Sequence, residues 1–292
     1  MILNLTHKEK YGKCEFPKGE IEWEYIKFPD GQQSIHITPM FFSGDTIVKI
    51  ISRLNSFQDL ELILAATSAL RGLGIKNISL YIPYLLGARS DRMFNPGDPH
   101  YLRDVIVPII NAQNFNNVTV LDPHSDVTEA LVNNLSIINN WNIVKEGLTD
   151  IDNTDYARDN VTVISPDAGA LKKIYGVVEN FQIKNLIVAS KHRDLKTGKI
   201  THTEVPIKEE HKGKKFVIID DICDGGRTFI EIAKVIKNEQ PEAEIYLIVT
   251  HGIFSKGIDE LRKYFTKIYT TNSVNESITN NTDNFVKIIN VL

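Results

Sequence analysis

Phe216-Val217-Ile218-Ile219-Asp220-Asp221-Ile222-Cys223-Asp224-Gly225-Gly226-Arg227-Thr228 runs from four apolar residues through two adjacent carboxylates and a third acid into a pair of glycines. Phe229, Ile232, Ala233 and Ile236 follow at helical spacing. The pattern predicts a buried strand over Phe216–Ile219, a glycine-bearing turn and a helix over Phe229–Lys237. A helix that starts at such a turn offers unpaired backbone N–H groups and the positive end of its dipole to an anion. Gly225 and Gly226 let the backbone approach a phosphate closely, and Thr228 adds a hydroxyl donor. Asp220 and Asp221, just upstream, suit sugar hydroxyls or a magnesium shell. A ligand with a phosphate at one end and a diol beside it, as in ribose 5-phosphate, satisfies both halves. The bland alternative, a strand end with solvated acids and a glycine turn, leaves this grouping unexplained.

Outward from this stretch, short β-rich apolar runs alternate with helical patterns. Strands are predicted at Thr46–Ile51, Ile78–Ile82, Val118–Leu121, Val161–Ile164, Asn185–Ala189, Ile245–Val249 and Lys267–Tyr269. Most are nearly continuous in apolar residues, as strands covered on both faces of a parallel sheet are. Leu171, Ile174, Tyr175 and Val178 keep helical spacing. The alternation implies an α/β protein with doubly wound architecture, whose ligands sit at the carboxyl ends of strands. The polar segment Asn139–Asn160 is the expected boundary between two halves. This gives an N-terminal domain over 1–140 and a C-terminal domain over 141–280, with 281–292 returning as a strand to the first.

A formal net charge of −4 argues against a nucleic-acid-binding surface. The basic cluster Lys212-Gly213-Lys214-Lys215 reads as a solvated face. Two cysteines, Cys14 and Cys223, exclude a disulfide framework and fit a reducing compartment. The start lacks the pattern of a secretory signal, and no apolar run reaches the roughly 20 residues of a membrane helix. The expectation is a cytoplasmic protein without membrane or nucleic-acid partners. The Gly-x4-Gly-Lys-Ser/Thr and Gly-x-Gly-x-x-Gly signatures, zinc-ligand spacing and the Gly-x-Ser-x-Gly elbow are absent.

The stretch Asp220–Thr228 resembles the phosphoribosyl-pyrophosphate motif of the type I phosphoribosyltransferase fold. Further blocks narrow the match: Phe28-Pro29-Asp30-Gly31; Ile82-Pro83-Tyr84 leading to Ala88-Arg89-Ser90-Asp91-Arg92; Leu121-Asp122-Pro123-His124; Ser165-Pro166-Asp167-Ala168-Gly169; and Thr250-His251-Gly252-Ile253-Phe254. They follow the order seen in ribose-phosphate pyrophosphokinases, and the resemblance covers nearly the whole chain. It implies two doubly wound parallel-sheet domains of the type I phosphoribosyltransferase-like fold. The implied reaction transfers the β,γ-pyrophosphate of ATP, with Mg2+, to the C1 hydroxyl of ribose 5-phosphate.

By the same resemblance, Lys191 and Arg193 are the catalytic cations at the root of a mobile loop, His192–Pro206. His124 and Asp167 are magnesium-associated; by itself a lone histidine is more often structural. Phe28, Asp30, Gln32, Arg89 and Asp91 bind ATP, the early loop reaching in from a neighbouring subunit. That makes a homo-oligomer, a dimer or a dimer-based hexamer, the expected state. Asp220, Asp221, Asp224, Gly225, Gly226, Arg227 and Thr228 hold the ribose phosphate. The phosphate loop departs from the family's usual Asp-Thr-x-Gly-Thr: Gly225 replaces a threonine and Arg227 a glycine. Gln32 stands where glutamate is common, and Ser90 where glutamine is. The changes leave two acceptors open: ribose 5-phosphate, which is favoured, and a larger molecule ending in ribose 5-phosphate, such as ADP-ribose. A phosphoribosyltransferase or an inactive regulatory homologue are the remaining alternatives.

Overall fold

The computed structural model describes residues 1–6, 21–42, 45–153, 159–193, 200–274 and 284–292, with backbone alone at 191–193 and 200–202. Cys14, part of the His192–Pro206 loop and residues 281–283 lie outside the described residues. The chain divides into two compact units, Met1–Asn139 together with Leu292, and Asn140–Val291.

In the first unit the elements are β1 (Ile2–Asn4), β2 (Trp23–Lys27), β3 (Gln33–Ile37), β4 (Ile47–Ile51), α1 (Phe57–Gly72), β5 (Asn77–Tyr81), α2 (Val107–Ala112), β6 (Asn117–Leu121), α3 (Val127–Leu131) and β7 (Leu135–Ile138). A π-helical turn at Leu102–Ile106 leads into α2. The order β1-β4-β5-β6-β7 forms one sheet, and every neighbouring pair in it is parallel. β2 and β3 make a separate antiparallel hairpin. Its anchor is Gln33, whose side-chain amide donates to the Gln58 carbonyl and to Glu61 on α1. A capping box of Ser56 and Asp59 starts α1. Val48, Ile50, Leu80 and Val118 of the sheet form the core with Leu60, Ile63, Ala66 and Leu70 of α1.

The second unit holds α4 (Trp141–Asp152), β8 (Val161–Ser165), α5 (Leu171–Asn180), β9 (Asn185–Val188), β10 (Ser190–Arg193), β11 (Ile200–Glu204), β12 (Lys215–Cys223), α6 (Arg227–Glu239), β13 (Ile245–Gly252), α7 (Asp259–Arg262), β14 (Lys267–Thr271) and β15 (Val286–Ile289). Six strands form a parallel sheet in the order β15-β14-β13-β12-β8-β9. β8 and β13 are buried along their whole length, which is why their sequences are nearly free of alternation. β10 and β11 pair as an antiparallel hairpin with an irregularity between His192 and Arg193. The alternating strands and helices thus form α/β parallel sheets, as the pattern predicts.

Two expectations are corrected. The final run does not return to the first half: β15 lies beside β14, with Ile268 opposite Val286. Strand hydrogen bonding specifies pairing only in three dimensions, and a short apolar strand fits either sheet edge. The division between the units falls at Asn139/Asn140, at the start of the expected boundary segment, and just after it Ile143, Val144, Leu148 and Ile151 bury one face of α4. Asp150 on that helix accepts from Lys267 Nζ at 2.7 Å and from the Tyr269 hydroxyl at 2.9 Å, tying α4 to β14. On α5 the buried stripe is Ile174 and Val177, while Tyr175 is 52 % exposed. The stripe on α6 is Phe229, Ile232, Ala233 and Ile236, as the spacing predicts.

Gly252 ends β13 under the ring of Phe254: a Cβ there would stand 2.2 Å from Phe254 Cε2 and 2.7 Å from Thr270 Oγ1. Gly176, in the middle of α5, has nothing within 4 Å of such a position. Gly252→Ala is therefore expected to cost about 1–3 kcal/mol through overpacking, whereas Gly176→Ala gains about 0.5–1 kcal/mol in helix propensity. Calorimetric melting of the two variants checks the pair; a Gly252→Ala protein as stable as its parent contradicts the packing.

Candidate functional site

Strand order in the second sheet reverses between the parallel neighbours β8 and β12: β8 leads outward to β9, and β12 leads outward the other way through β13, β14 and β15. Loops after the two strands at such a switch point splay apart and leave a crevice at their carboxyl ends. Asp167 follows β8, and Asp224–Thr228 follows β12. Sequence spacing could not show this reversal.

β12 is longer than its apolar run suggests. It pairs with β8 only up to Ile218, opposite Ile164, but with β13 up to Cys223, opposite Gly252. Asp220 and Asp221 are therefore inside the strand and beyond its pairing with β8. Their extended backbone keeps them in place without a turn. Asp221 is 6 % exposed, and its carboxylate lies 3.7 Å from Lys173 Nζ on α5. The Asp221 N–H donates to Asp220 Oδ1 at 2.9 Å. Burial, then the charge of Asp221, pushes the Asp220 carboxyl well above the usual carboxylate range. A hydrogen bond between the two carboxyl groups adds to this, and the charge of Asp167 raises it further. Asp167, Asp220 and Asp221 thus share one field.

Asp167 also shapes the backbone, since its Oδ1 accepts from the N–H groups of Gly169 and Ala170 at 3.0 and 3.1 Å at the entry to α5. After β12, Asp224 and Gly225 are half-buried and Gly226 is buried. Gly226 caps α6 with φ of +75°, a conformation that a Cβ would strain. No side chain caps the first turn of α6, and no acid stands in it. Its N–H groups and dipole are directed at the turn. Arg227 is exposed and Thr228 half-buried at the start of the helix. Cys223 is buried, and burial followed by the charges of Asp220 and Asp224 pushes its thiol up to about 12, so it is no nucleophile.

Other expected residues are spread over the strand ends. Phe28, Asp30 and Gln32 come together at the tip of the β2–β3 hairpin, all exposed, Phe28 by 45 %. The tip is closed by the Phe28 N–H donating to the Gln32 carbonyl and the Gln32 N–H to Asp30 Oδ1. Arg89 is exposed in the loop after β5, whereas Asp91 is buried, 3.3 Å from Arg92 Nε. That burial suits a residue shaping the loop more than one touching a ligand. His124 is half-buried after β6, where Asp122 turns the chain with φ of +42°. Lys191 and Arg193 belong to β10 of the hairpin.

Sequence reasoning missed Lys256. Its side chain lies along Gly225, with Cδ 3.5 Å from the position of an ideal Cβ there. A lysine just beyond Thr250–Phe254, at the end of a predicted strand, was the available signal.

Among the described residues no group of three or more His, Cys, Asp and Glu could hold a metal alone. The donor set nonetheless fits magnesium, which binds few carboxylates and fills its octahedron with water and phosphate oxygens. Nor is any helix among them long and apolar enough to cross a membrane.

The phosphoribosyl transferase domain family matches residues 134–284, just over half of the chain. The ribose-phosphate pyrophosphokinase of Pyrococcus furiosus is 26% identical over 260 residues, 86% of this chain and 85% of that protein. The ribose-phosphate pyrophosphokinase of Fusobacterium nucleatum is 27% identical over 277 residues, 93% of this chain and 83% of that one. A solved phosphoribosylpyrophosphate synthetase from Mycobacterium smegmatis shares the fold, with a TM-score of 0.76 at 16% identity over 93% of this chain and 86% of that one. The chain belongs to the phosphoribosyl transferase domain family and is a divergent member of its ribose-phosphate pyrophosphokinase branch.

The raised Asp220 carboxyl has a consequence for stability. Folding takes up a proton between its ordinary and its raised pKa, so this stabilisation is complete below the ordinary value and lost as pH rises through the raised one. Asp220→Asn removes the loss. In chelator, the variant should melt a few degrees above its parent near neutral pH, and the difference should shrink as pH falls toward about 4. Parallel melting curves across pH would contradict the coupling.

Proposed function

We propose that this protein is a ribose-phosphate diphosphokinase, transferring the β,γ-pyrophosphate of ATP to the C1 hydroxyl of a ribose 5-phosphate unit. The observation that carries the reading is the crevice after β8 and β12, with paired carboxylates beside an uncapped helix start. Asp220 and Asp221 hold the ribose hydroxyls, and the segment from Asp224 to Thr228 cradles the 5′-phosphate with backbone N–H groups. The C1 oxygen attacks the β-phosphorus in line. The bond between that phosphorus and the α–β bridging oxygen breaks, AMP leaves with the bridging oxygen, and the hydroxyl proton passes to solvent. Charge spreads over phosphate oxygens in this step, so positioned cations provide most of the stabilisation. Lys191 and Arg193 supply them. Asp167 in the second unit and His124 in the first are the residues that would each hold magnesium, which when bound would neutralise charge on the polyphosphate.

Phe28, Asp30 and Gln32 meet ATP from a hairpin tip that we assign to a neighbouring subunit's site, with Arg89 on the nucleotide as well. Oligomerisation would then complete the site. Ribose 5-phosphate is the first acceptor. A larger acceptor such as ADP-ribose is the second reading, favoured by Gly225 in place of a hydroxyl side chain and by the exposed Arg227.

AMP release from ATP and magnesium, compared across ribose 5-phosphate, ADP-ribose and free ribose, tests reaction and acceptor together. Release with one of the first two and not with free ribose is expected; release with none rejects the proposal. Lys191→Ala should lower kcat at least about tenfold, a loss of about 1.4 kcal/mol in transition-state stabilisation. Phe28→Ala should raise KM for ATP several-fold while leaving the acceptor's KM unchanged, as steady-state titration of each substrate would reveal.

A further inference from the structure

The turn after β13 is bound to the strand that carries the phosphate loop. The N–H groups of Ile253 and Phe254 both donate to the carbonyl of Cys223, at 2.8 and 3.1 Å. Phe254 takes φ of +45° with its ring buried, and the Gly257 N–H closes the turn on the Phe254 carbonyl at 2.8 Å. Ser255 and Lys256 are therefore held at the tip of a turn whose base is the last residue of β12.

From there the Lys256 stem runs across Gly225, its Cγ, Cδ and Cε standing 3.6, 3.5 and 3.6 Å from the ideal Cβ position. Long cationic side chains commonly lie on a surface by their methylenes and present the ammonium at its edge. Here the surface is the glycine turn, and the ammonium is carried one bond beyond Cε. Arg227 follows the same turn, exposed at the first position of α6. Among the described residues no carboxylate pairs with either cation, although Asp224 sits next to Gly225. Two cations that flank an uncapped helix start and decline a nearby acid make a site for an external anion.

We infer that Lys256 is a binding residue for the phosphoryl group at the 5′ end of the acceptor, closing with Arg227 on the anion that the glycine turn receives. The inference rests on the proposed placement of the acceptor at the β12–α6 turn. The phosphoryl group comes from either of two sources, a 5′-phosphate monoester or the diphosphate of a larger acceptor. A flexible ammonium on a pinned turn serves both, because it recognises charge without imposing the geometry of a guanidinium.

The test uses the full-length protein with Lys256→Gln, which keeps the first three carbons of the side chain and removes the charge, and Lys256→Arg, which restores it. With ATP saturating, AMP release is measured against ribose 5-phosphate and against ADP-ribose. Lys256→Gln should raise KM for the productive acceptor about tenfold or more, with kcat and KM for ATP within about twofold, and Lys256→Arg should recover most of the loss. The acceptor on which the loss falls identifies the source of the phosphoryl group. An unchanged acceptor KM, or a fall in kcat alone, overturns the assignment. Calorimetric binding of ribose 5-phosphate and ADP-ribose without ATP separates the two proposals. If the parent binds one and Lys256→Gln binds it about tenfold more weakly, the lysine's role stands even if no AMP is released. Equal binding by parent and variant, or no binding by the parent, overturns it.

Discussion

β12 is hydrogen-bonded on both sides, but its two partnerships end at different heights. Pairing with β8 stops at Ile218, whereas pairing with β13 continues to Cys223. The continued half keeps the backbone of Asp220 and Asp221 extended and satisfied; the missing half opens the crevice that β8 would otherwise close. Both the acids and the glycine turn inherit their position from this step. The turn after β13 inherits its position too, since its N–H groups are bound to the Cys223 carbonyl.

The crevice carries an unfavourable charge arrangement in the absence of ligand. Burial, then the charge of Asp221 and last that of Asp167, raise the proton affinity of Asp220. A structural core has no use for such a cluster, because burying like charges costs stability that apolar packing would supply. Polar ligands and cations that enter the crevice remove the cost, so stability lost in the ligand-free state becomes binding strength. Lys173 Nζ stands 3.7 Å from the Asp221 carboxylate. Beyond the acids, the uncapped start of α6 carries Arg227, and the stem of Lys256 lies against Gly225, so the turn has the opposite charge.

Buried polar groups close the base of this region. Thr271 Oγ1 donates to the Thr250 carbonyl at 2.6 Å, and His251 Nδ1 lies 2.9 Å from Ser273 Oγ, all at the carboxyl ends of β13 and β14. Such a network holds the ends of adjacent strands in register where the ladder itself runs out. It also accounts for Thr250, His251 and Gly252, a block the sequence marks by resemblance but for which side-chain chemistry alone suggests no role: Gly252 is the close approach, and the two polar residues face inward.

The sequence by itself determined the class of fold, because strands buried on both faces must be apolar throughout and the helices between them must carry one apolar stripe. It also marked the acid pair and the glycine turn, because their chemistry is local and their spacing along one strand and one helix start is covalent. Tertiary structure decided the rest. That Trp141–Asp152 folds as α4 depended on the face it could bury, which is a property of its neighbours. The edge taken by Val286–Ile289 depended on which strand offered free N–H and carbonyl groups. The place of Lys256 depended on a backbone hydrogen bond between segments about 30 residues apart. The Asp220–Thr228 stretch was legible as a strand end, a glycine turn and a helix start from its residues alone. Only the different lengths of its two strand partnerships raised those acids above the sheet edge and brought a second cation to its glycines.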